Sequence, residues 1–391
     1  MISFHQALGT VRKCSVPLKA VTLALQEAFG LVLAEDIKVR SDAPPFHQSA
    51  MDGYAFSFRT WDKKSDLKIT GLIPAGKKVS KRLKKGEAAL IFTGAEIPAG
   101  ADTVVIREKV VQKGEYLRIL DTALQAGANI RKRASHIRTG QIALKKGTTL
   151  NAGAIAFLAS VGIARVKVIS RPRVGIIVTG DELAVPGQKL AKGQVYECNS
   201  FALHSALRSR YLEPALVMHA ADDKEKLKAA IRLALAKCDV LLLTGGVSAG
   251  DFDFVAPALQ ECGFKKQFHK VRQKPGKPLF FGTKGKKLAF GLPGNPASVL
   301  TCYYVYVVAA LNRLAGISHE EERSLKLNRP FSKKPGMTHL LKAKTEGNTV
   351  SILHDQESYK LNSFAMADAL VLLDEETEQV DEGREVVVIK L

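Results

Sequence analysis

The chain has 391 residues, 46% of them hydrophobic and 25% charged, with a mean hydropathy near zero. That is the composition of a globular protein of about two to four domains, not of a disordered or membrane-embedded chain. The five cysteines are scattered without a C-x-x-C pair, which argues against a disulfide frame or zinc site and places the chain in the reducing cytoplasm. The formal charge of +20 attracts anions, but no helix-turn-helix, C2H2 or RNP-like block accompanies it, so nucleic acid is a disfavoured partner.

In chain order, the first residues lack a basic segment followed by an apolar one, and no secretory leader is expected. Ser3 is placed to cap a first helix, and residues 18–33 carry apolar side chains at mixed helical spacing until Gly30, so the first forty residues are expected to be helical. Pro44-Pro45 ends that pattern. Residues 67–70, 88–93, 103–107 and 116–120 are short runs bounded by Gly, Pro or Lys-Gly, the rhythm of a small β-rich domain. Residues 152–161 read as a helix again. The expected division is a helical domain of residues 1–45 and 134–166, packed together around an inserted β-domain of residues 46–133.

Past residue 166 the apolar runs 173–179, 214–219 and 239–244 alternate with helical segments 201–210, 224–238 and one ending at Cys262. A strand pair around 279–281 and 288–290 follows, then a long helix from Asn295. Its apolar run, 299–311, is short of the roughly 20 residues of a membrane span and reads as a buried core helix. Strands apolar on both faces and alternating with helices predict a doubly wound parallel α/β sheet over residues 167–320. Short strands at 340–344, 350–353, 369–373 and 385–389 predict a C-terminal β-barrel over residues 321–391.

Ligands of open α/β sheets bind beyond the carboxyl ends of the strands. Such ends carry Thr179-Gly180-Asp181-Glu182, then Gly245-Gly246-Val247-Ser248 running to Asp251 and Asp253, then Pro293-Gly294-Asn295-Pro296. Glycine loops bring backbone N–H groups to a phosphate, and Asn295 can cap a helix opened by Pro296, leaving its first N–H groups for a ligand. Lys274-Pro275-Gly276-Lys277-Pro278 adds two point charges on a rigid turn. It lies in a stretch with no Asp or Glu between Glu261 and Glu320, which points to anion binding. Neither G-x-G-x-x-G nor a P-loop is present. Asp52 before Gly53 and Thr93 before Gly94 sit in β-turns, where an Asp is more often a backbone cap than a catalyst.

Taken together, these motifs resemble the MoeA and gephyrin E-domain family, the molybdopterin molybdenumtransferases. The resemblance runs through Ser49-Ala50-Met51-Asp52-Gly53-Tyr54-Ala55, Phe92-Thr93-Gly94-Ala95, Asn129-Ile130-Arg131, Thr179-Gly180-Asp181-Glu182-Leu183, Gly245-Gly246-Val247-Ser248, Lys274-Pro275-Gly276-Lys277-Pro278 and Gly291-Leu292-Pro293-Gly294-Asn295-Pro296. It implies a helical linker domain with a β-insertion, a molybdopterin-binding α/β domain and a C-terminal barrel, assembled as a homodimer whose active site takes the β-domain of the second subunit. It implies insertion of molybdate into adenylylated molybdopterin with magnesium and release of AMP, and transient contact with a molybdopterin adenylyltransferase and with target molybdoenzymes. Catalytic roles fall on Asp52, Thr93, Glu182 and Asp253, and metal ligation on Asp181, Glu182, Asp251 and Asp253. Gly245, Gly246, Ser248, Lys274, Lys277, Pro293, Asn295 and Pro296 would hold the pterin and its phosphates.

The chain departs from the family pattern at His136, where a carboxylate is usual, at Asp368 in place of Asn, and at Phe254 in place of Tyr. A non-catalytic molybdopterin-binding scaffold is therefore one alternative. A molybdopterin adenylyltransferase is the other, disfavoured by the N-terminal insertion, the barrel and Gly-Gly-Val-Ser where that family prefers Gly-Gly-Thr-Gly.

Overall fold

The computed structural model describes residues 1–79, 82–247, 253–317 and 323–391. They divide into two compact units, one of Met1–Val21, Gly30–Val32 and Val168–Leu391, the other of Thr22–Phe29 and Leu33–Lys167.

Ser3 does cap α1 (Phe4–Cys14): its hydroxyl accepts from the Gln6 N–H, and the Gln6 side chain accepts from the Ser3 N–H. Phe4, Ala7 and Val11 form the buried stripe of this helix. The helical reading fails beyond it, because Ala20–Ala24 is a strand and Leu25–Glu27 a single 3-10 turn. Pro17 cannot prolong a helix, and the β-branched pair Val21-Thr22 suits an extended backbone. The α1 stripe joins the core of the α/β sheet. It therefore belongs to the first unit, and not with residues 152–161 as the sequence suggests.

The second unit is built on a six-stranded sheet of β1 (Gly53–Phe56), β2 (Leu67–Ile73), β3 (Glu87–Ile91), β4 (Thr103–Ile106), β5 (Val110–Lys113) and β6 (Tyr116–Ile119), ordered β4-β1-β3-β2-β6-β5. Each short run read from the sequence is a strand here. Alternate residues serve two cores, with Ala55, Ile91 and Val104 on one face and Tyr54, Phe56 and Val105 on the other. α2 (Ala152–Ser160) follows, capped by the Asn151 side chain on the Ala154 N–H.

In the first unit, β7 (Val174–Thr179), α3 (Asn199–Arg208), β8 (Leu216–Ala220), α4 (Lys224–Lys237), β9 (Val240–Thr244), α5 (Val255–Glu261), β10 (Lys265–His269), β11 (Phe280–Lys284), β12 (Lys287–Leu292) and α6 (Pro296–Leu314) make the α/β domain. The sheet order is β8-β7-β9-β12-β11-β10. Ile176, Val178 and Leu242 pack beneath α1, α3 and α6, while Ile177, Leu241 and Leu243 pack beneath α4 and α5. Both faces are thus covered, as the continuously apolar strands require. The sheet is parallel from β8 to β12, and β11 alone is reversed, pairing antiparallel with both β12 and β10. Gly285-Lys286 is too short a link for a parallel crossover, so β11 and β12 must form a hairpin.

Some of the charge in the acid-free stretch is spent inside this fold. Lys284 donates to the Cys262 carbonyl at 2.6 Å, and Lys287 to the Leu235 and Cys238 carbonyls at 2.7 and 2.6 Å. These lysines cap the C-termini of α5 and α4, so part of the stretch's positive charge is directed at backbone carbonyls. α6 is 19 residues long with a mean hydropathy of 1.3, enough to cross a membrane by length and composition, yet 72% of its most apolar stretch is buried inside the protein. Its middle, Tyr303–Val307, is a π-turn whose Tyr303 and Tyr306 are completely buried.

The expected C-terminal barrel is present and closed: β13 (Arg323–Leu327), β14 (Thr338–Glu346), β15 (Thr349–Ile352), β16 (Ala369–Leu373) and β17 (Glu385–Lys390) follow the order β14-β15-β13-β17-β16, and β16 pairs back with β14. Leu341, Ala343, Val350, Val371, Val386 and Val388 fill it.

Candidate active site

A cavity of about 690 Å³ opens in the first unit at the carboxyl end of the sheet. Lys274, Lys277, Pro293, Asn295, Pro296 and Glu182 line it, so these residues, read from separate motifs, are brought to one place.

The lysine turn is built from below. Gln273 is completely buried, and its Nε2 donates to the Pro275 and Gly276 carbonyls at 3.2 Å each, while the Tyr306 hydroxyl donates to its Oε1. Gly276 has φ +84°, and a Cβ there would stand 2.5 Å from Cys302 Sγ and 2.9 Å from Gln273 Nε2. Both lysine side chains are left exposed on the cavity, the placement that lets ammonium groups meet an anion.

Opposite lies the turn from β12 into α6. Pro296 is the first helical residue, as expected, but the Asn295 side chain makes no cap. Its Nδ2 donates to Ser358 Oγ at 3.0 Å, and the Ala297 N–H donates to the Ser358 carbonyl at 3.2 Å. A barrel loop has taken the helix N–H that the sequence reading leaves for a ligand. The Asn199 side chain ties the start of α3 to the same turn, Nδ2 donating to the Gly294 carbonyl at 2.9 Å.

Glu182 is exposed at the end of β7, beside Asp181. The Asp181 N–H donates to the Asp222 carboxylate at 3.3 Å, and the Asp222 N–H returns a bond to the Asp181 carboxylate at 3.2 Å. Burial above all, with the nearby Asp181 and Glu182 charges, raises the Asp222 carboxyl above its ordinary range. Asp222 was missed, although it follows β8 and the strand-end rule would have found it. Gln273, Tyr306, Asn199 and Ser358 were missed too, and nothing local marks them.

Gly245 and Gly246, with φ of +87° and +57°, turn the chain behind the β7 end and do not line the cavity. A Cβ on Gly245 would lie 2.7 Å from Thr179 Oγ1, so the glycine permits close strand-end packing. Asp253 is half-buried ahead of α5 and lies off the cavity wall, while Ser248 and Asp251 fall outside the described residues. Among the described residues, no three His, Cys, Asp or Glu side chains converge as a metal-binding group.

In the second unit, Asp52 and Thr93 meet directly. Asp52 Oδ1 accepts from the Thr93 N–H at 2.8 Å and from its hydroxyl at 2.7 Å. Those bonds hold the Asp52 carboxyl below the usual range. His136 is exposed, its ring 5.0 Å from that of Phe157.

His339 of β14 stands in register with Lys274, and burial together with Lys333 and Lys274 lowers its pKa from 6.5 to about 4. The unfolded chain takes up this proton near pH 6.5 and the folded protein only near 4, so the unfolded state binds more protons in between. Stability is therefore expected to fall as pH drops from 6.5 towards 4, and His339→Gln to flatten that part of the Tm–pH curve. Parallel curves for the two proteins would refute the assignment.

Family sequence models match the chain along its length: the MoeA N-terminal region (domain I and II) over residues 2–162, a probable molybdopterin binding domain over 175–313 and the MoeA C-terminal region (domain IV) over 324–391. A molybdopterin molybdenumtransferase of Nostoc sp. is 34% identical over 387 residues, spanning 94% of this chain and 88% of that one. Its counterpart in Staphylococcus epidermidis is 31% identical over 399 residues, spanning 99% and 95%. The crystal structure of a molybdopterin biosynthesis MoeA protein from Pyrococcus horikosii superimposes with a TM-score of 0.83 at 32% identity, over 100% of this chain and 99% of that one.

Proposed function

The chain belongs to the MoeA family of molybdopterin molybdenumtransferases, and on that premise we propose that it inserts molybdate into the dithiolene of adenylylated molybdopterin, with release of AMP. The observation that carries this reading is the cavity in which the lysine turn faces the Pro293–Pro296 turn, with Glu182 on a third side. Hydrolysis of a phosphoanhydride needs its negative charge neutralised and a water held in line. In this reading Lys274 and Lys277, which line the cavity, serve the first task, and Glu182 orients the water and accepts its proton. The extra N-terminal and C-terminal regions favour metal insertion over adenylyl transfer.

Asp181 and Glu182 offer exposed hard-oxygen donors at the end of β7, and although no three such side chains converge among the described residues, magnesium does not require three. Magnesium keeps several waters and substrate phosphate oxygens, so one or two of these carboxylates suffice to hold it. When bound, it supplies further charge neutralisation at the phosphates. Asp253 and Asp251 are proposed as additional ligands. The paired, exposed Asp52 and Thr93 are proposed to serve the cavity of a second subunit in a cytoplasmic homodimer.

The test is molybdate- and magnesium-dependent AMP release from adenylylated molybdopterin, with wild type beside His136→Asp and Glu182→Gln. Wild-type turnover is expected, with kcat about a hundredfold lower in Glu182→Gln. Activity only in His136→Asp would instead mark a binding paralogue, and silence in both with the pterin still bound a scaffold.

A further inference from the structure

We propose that the C-terminal barrel is a positioning element of the cavity, acting through the buried Lys342; this rests on the assignment of the cavity to adenylylated molybdopterin. Lys342 lies in the middle of β14 and is 2% exposed. An ammonium so deeply buried is tolerated only when its donors are filled. Here they are: Nζ donates to the carbonyls of Asp355, Lys360 and Glu357 at 2.7, 3.2 and 3.3 Å. The backbone of the same residue exchanges two bonds with the Gln356 amide, both at 2.9 Å. The loop after β15 is thus moulded around one side chain.

That loop carries Ser358 to the cavity, where it receives the Asn295 side chain and the Ala297 N–H. The start of the same strand works on the other wall. Thr338 and His339 pair in parallel with Gln273 and Lys274, and the Arg272–Glu375 ion pair at 2.9 Å closes the seam. One barrel strand therefore spaces the lysine turn from the Pro293–Pro296 turn. A ligand spanning both would feel any slackening of the loop as lost affinity before lost chemistry.

Full-length Lys342→Met, Ser358→Ala and the double variant test this by steady-state AMP release alongside thermal melts. In folded protein, Lys342→Met is expected to raise KM about tenfold with kcat changed less than about twofold. Ser358→Ala is expected to raise KM about threefold, and the double variant no further than Lys342→Met alone, because both act through one loop. An unchanged KM in folded Lys342→Met, a loss confined to kcat, or independent additive effects would overturn the proposal. Should Lys342→Met fail to fold, Ser358→Ala decides alone, and an unchanged KM there overturns it. A wild type that releases no AMP defeats the functional assignment instead, and the positioning claim is then read from inorganic pyrophosphate affinity, which the variants must weaken in the same order.

Discussion

Replacing Lys274 and Lys277 together by alanine is expected to lower kcat/KM for adenylylated molybdopterin by about a thousandfold, with the melting transition nearly unchanged. A hydrogen bond to a charged group contributes about 1.5–3 kcal/mol, or roughly 10- to 100-fold per lysine. Both side chains line the cavity and both are exposed, so truncation removes charge without opening the core. The turn beneath them keeps its support, because the Gln273 amide, itself held by the Tyr306 hydroxyl, binds the Pro275 and Gly276 carbonyls and not the lysine side chains. The salt dependence of KM should weaken in the same variant, since the interaction lost is electrostatic. An unchanged kcat/KM would move the phosphate contact elsewhere in the molecule.

Gly276→Ala, between those lysines, is expected to lose activity to a similar degree and stability as well. Alanine at φ +84° costs about 1–2 kcal/mol, and forcing a methyl into packed surroundings costs about 1–3 more. The methyl would overlap Cys302 Sγ and Gln273 Nε2, the groups that support the turn from inside. The two experiments therefore separate cause from scaffold: the lysine variant loses function alone, the glycine variant loses function and Tm together. Adding Cys302→Ala to Gly276→Ala should recover part of the stability, by relieving the 2.5 Å contact while leaving the strained φ. A Gly276→Ala protein with wild-type Tm and activity would mean that the turn is not held as described.

The site was legible where residue type alone states a backbone or charge requirement. Lys-Pro-Gly-Lys-Pro and Leu-Pro-Gly-Asn-Pro announce rigid turns, and apolar runs such as 239–244 announce strands covered on both sides. Asn295 shows the limit. Its place at the helix start was correct, but its partner is Ser358, 63 residues away. Residues 18–33 were misread because short apolar runs carry little periodicity, and local extended preference decided them.

By itself, the sequence determined the order of the main strands and helices past residue 45, the alternating α/β core, the closing barrel and the candidate residues for neutralising phosphate, because each depends on local conformational preference or side-chain chemistry. Only the tertiary structure decided which charges remain available. Lys284 and Lys287 are consumed as helix caps, Lys342 as a buried clamp, and Asp181 is tied to Asp222, whereas Lys274 and Lys277 face open space. The physical reason is that a charged group's role follows from its desolvation and its partners, and these partners come from strands and loops far apart in the chain.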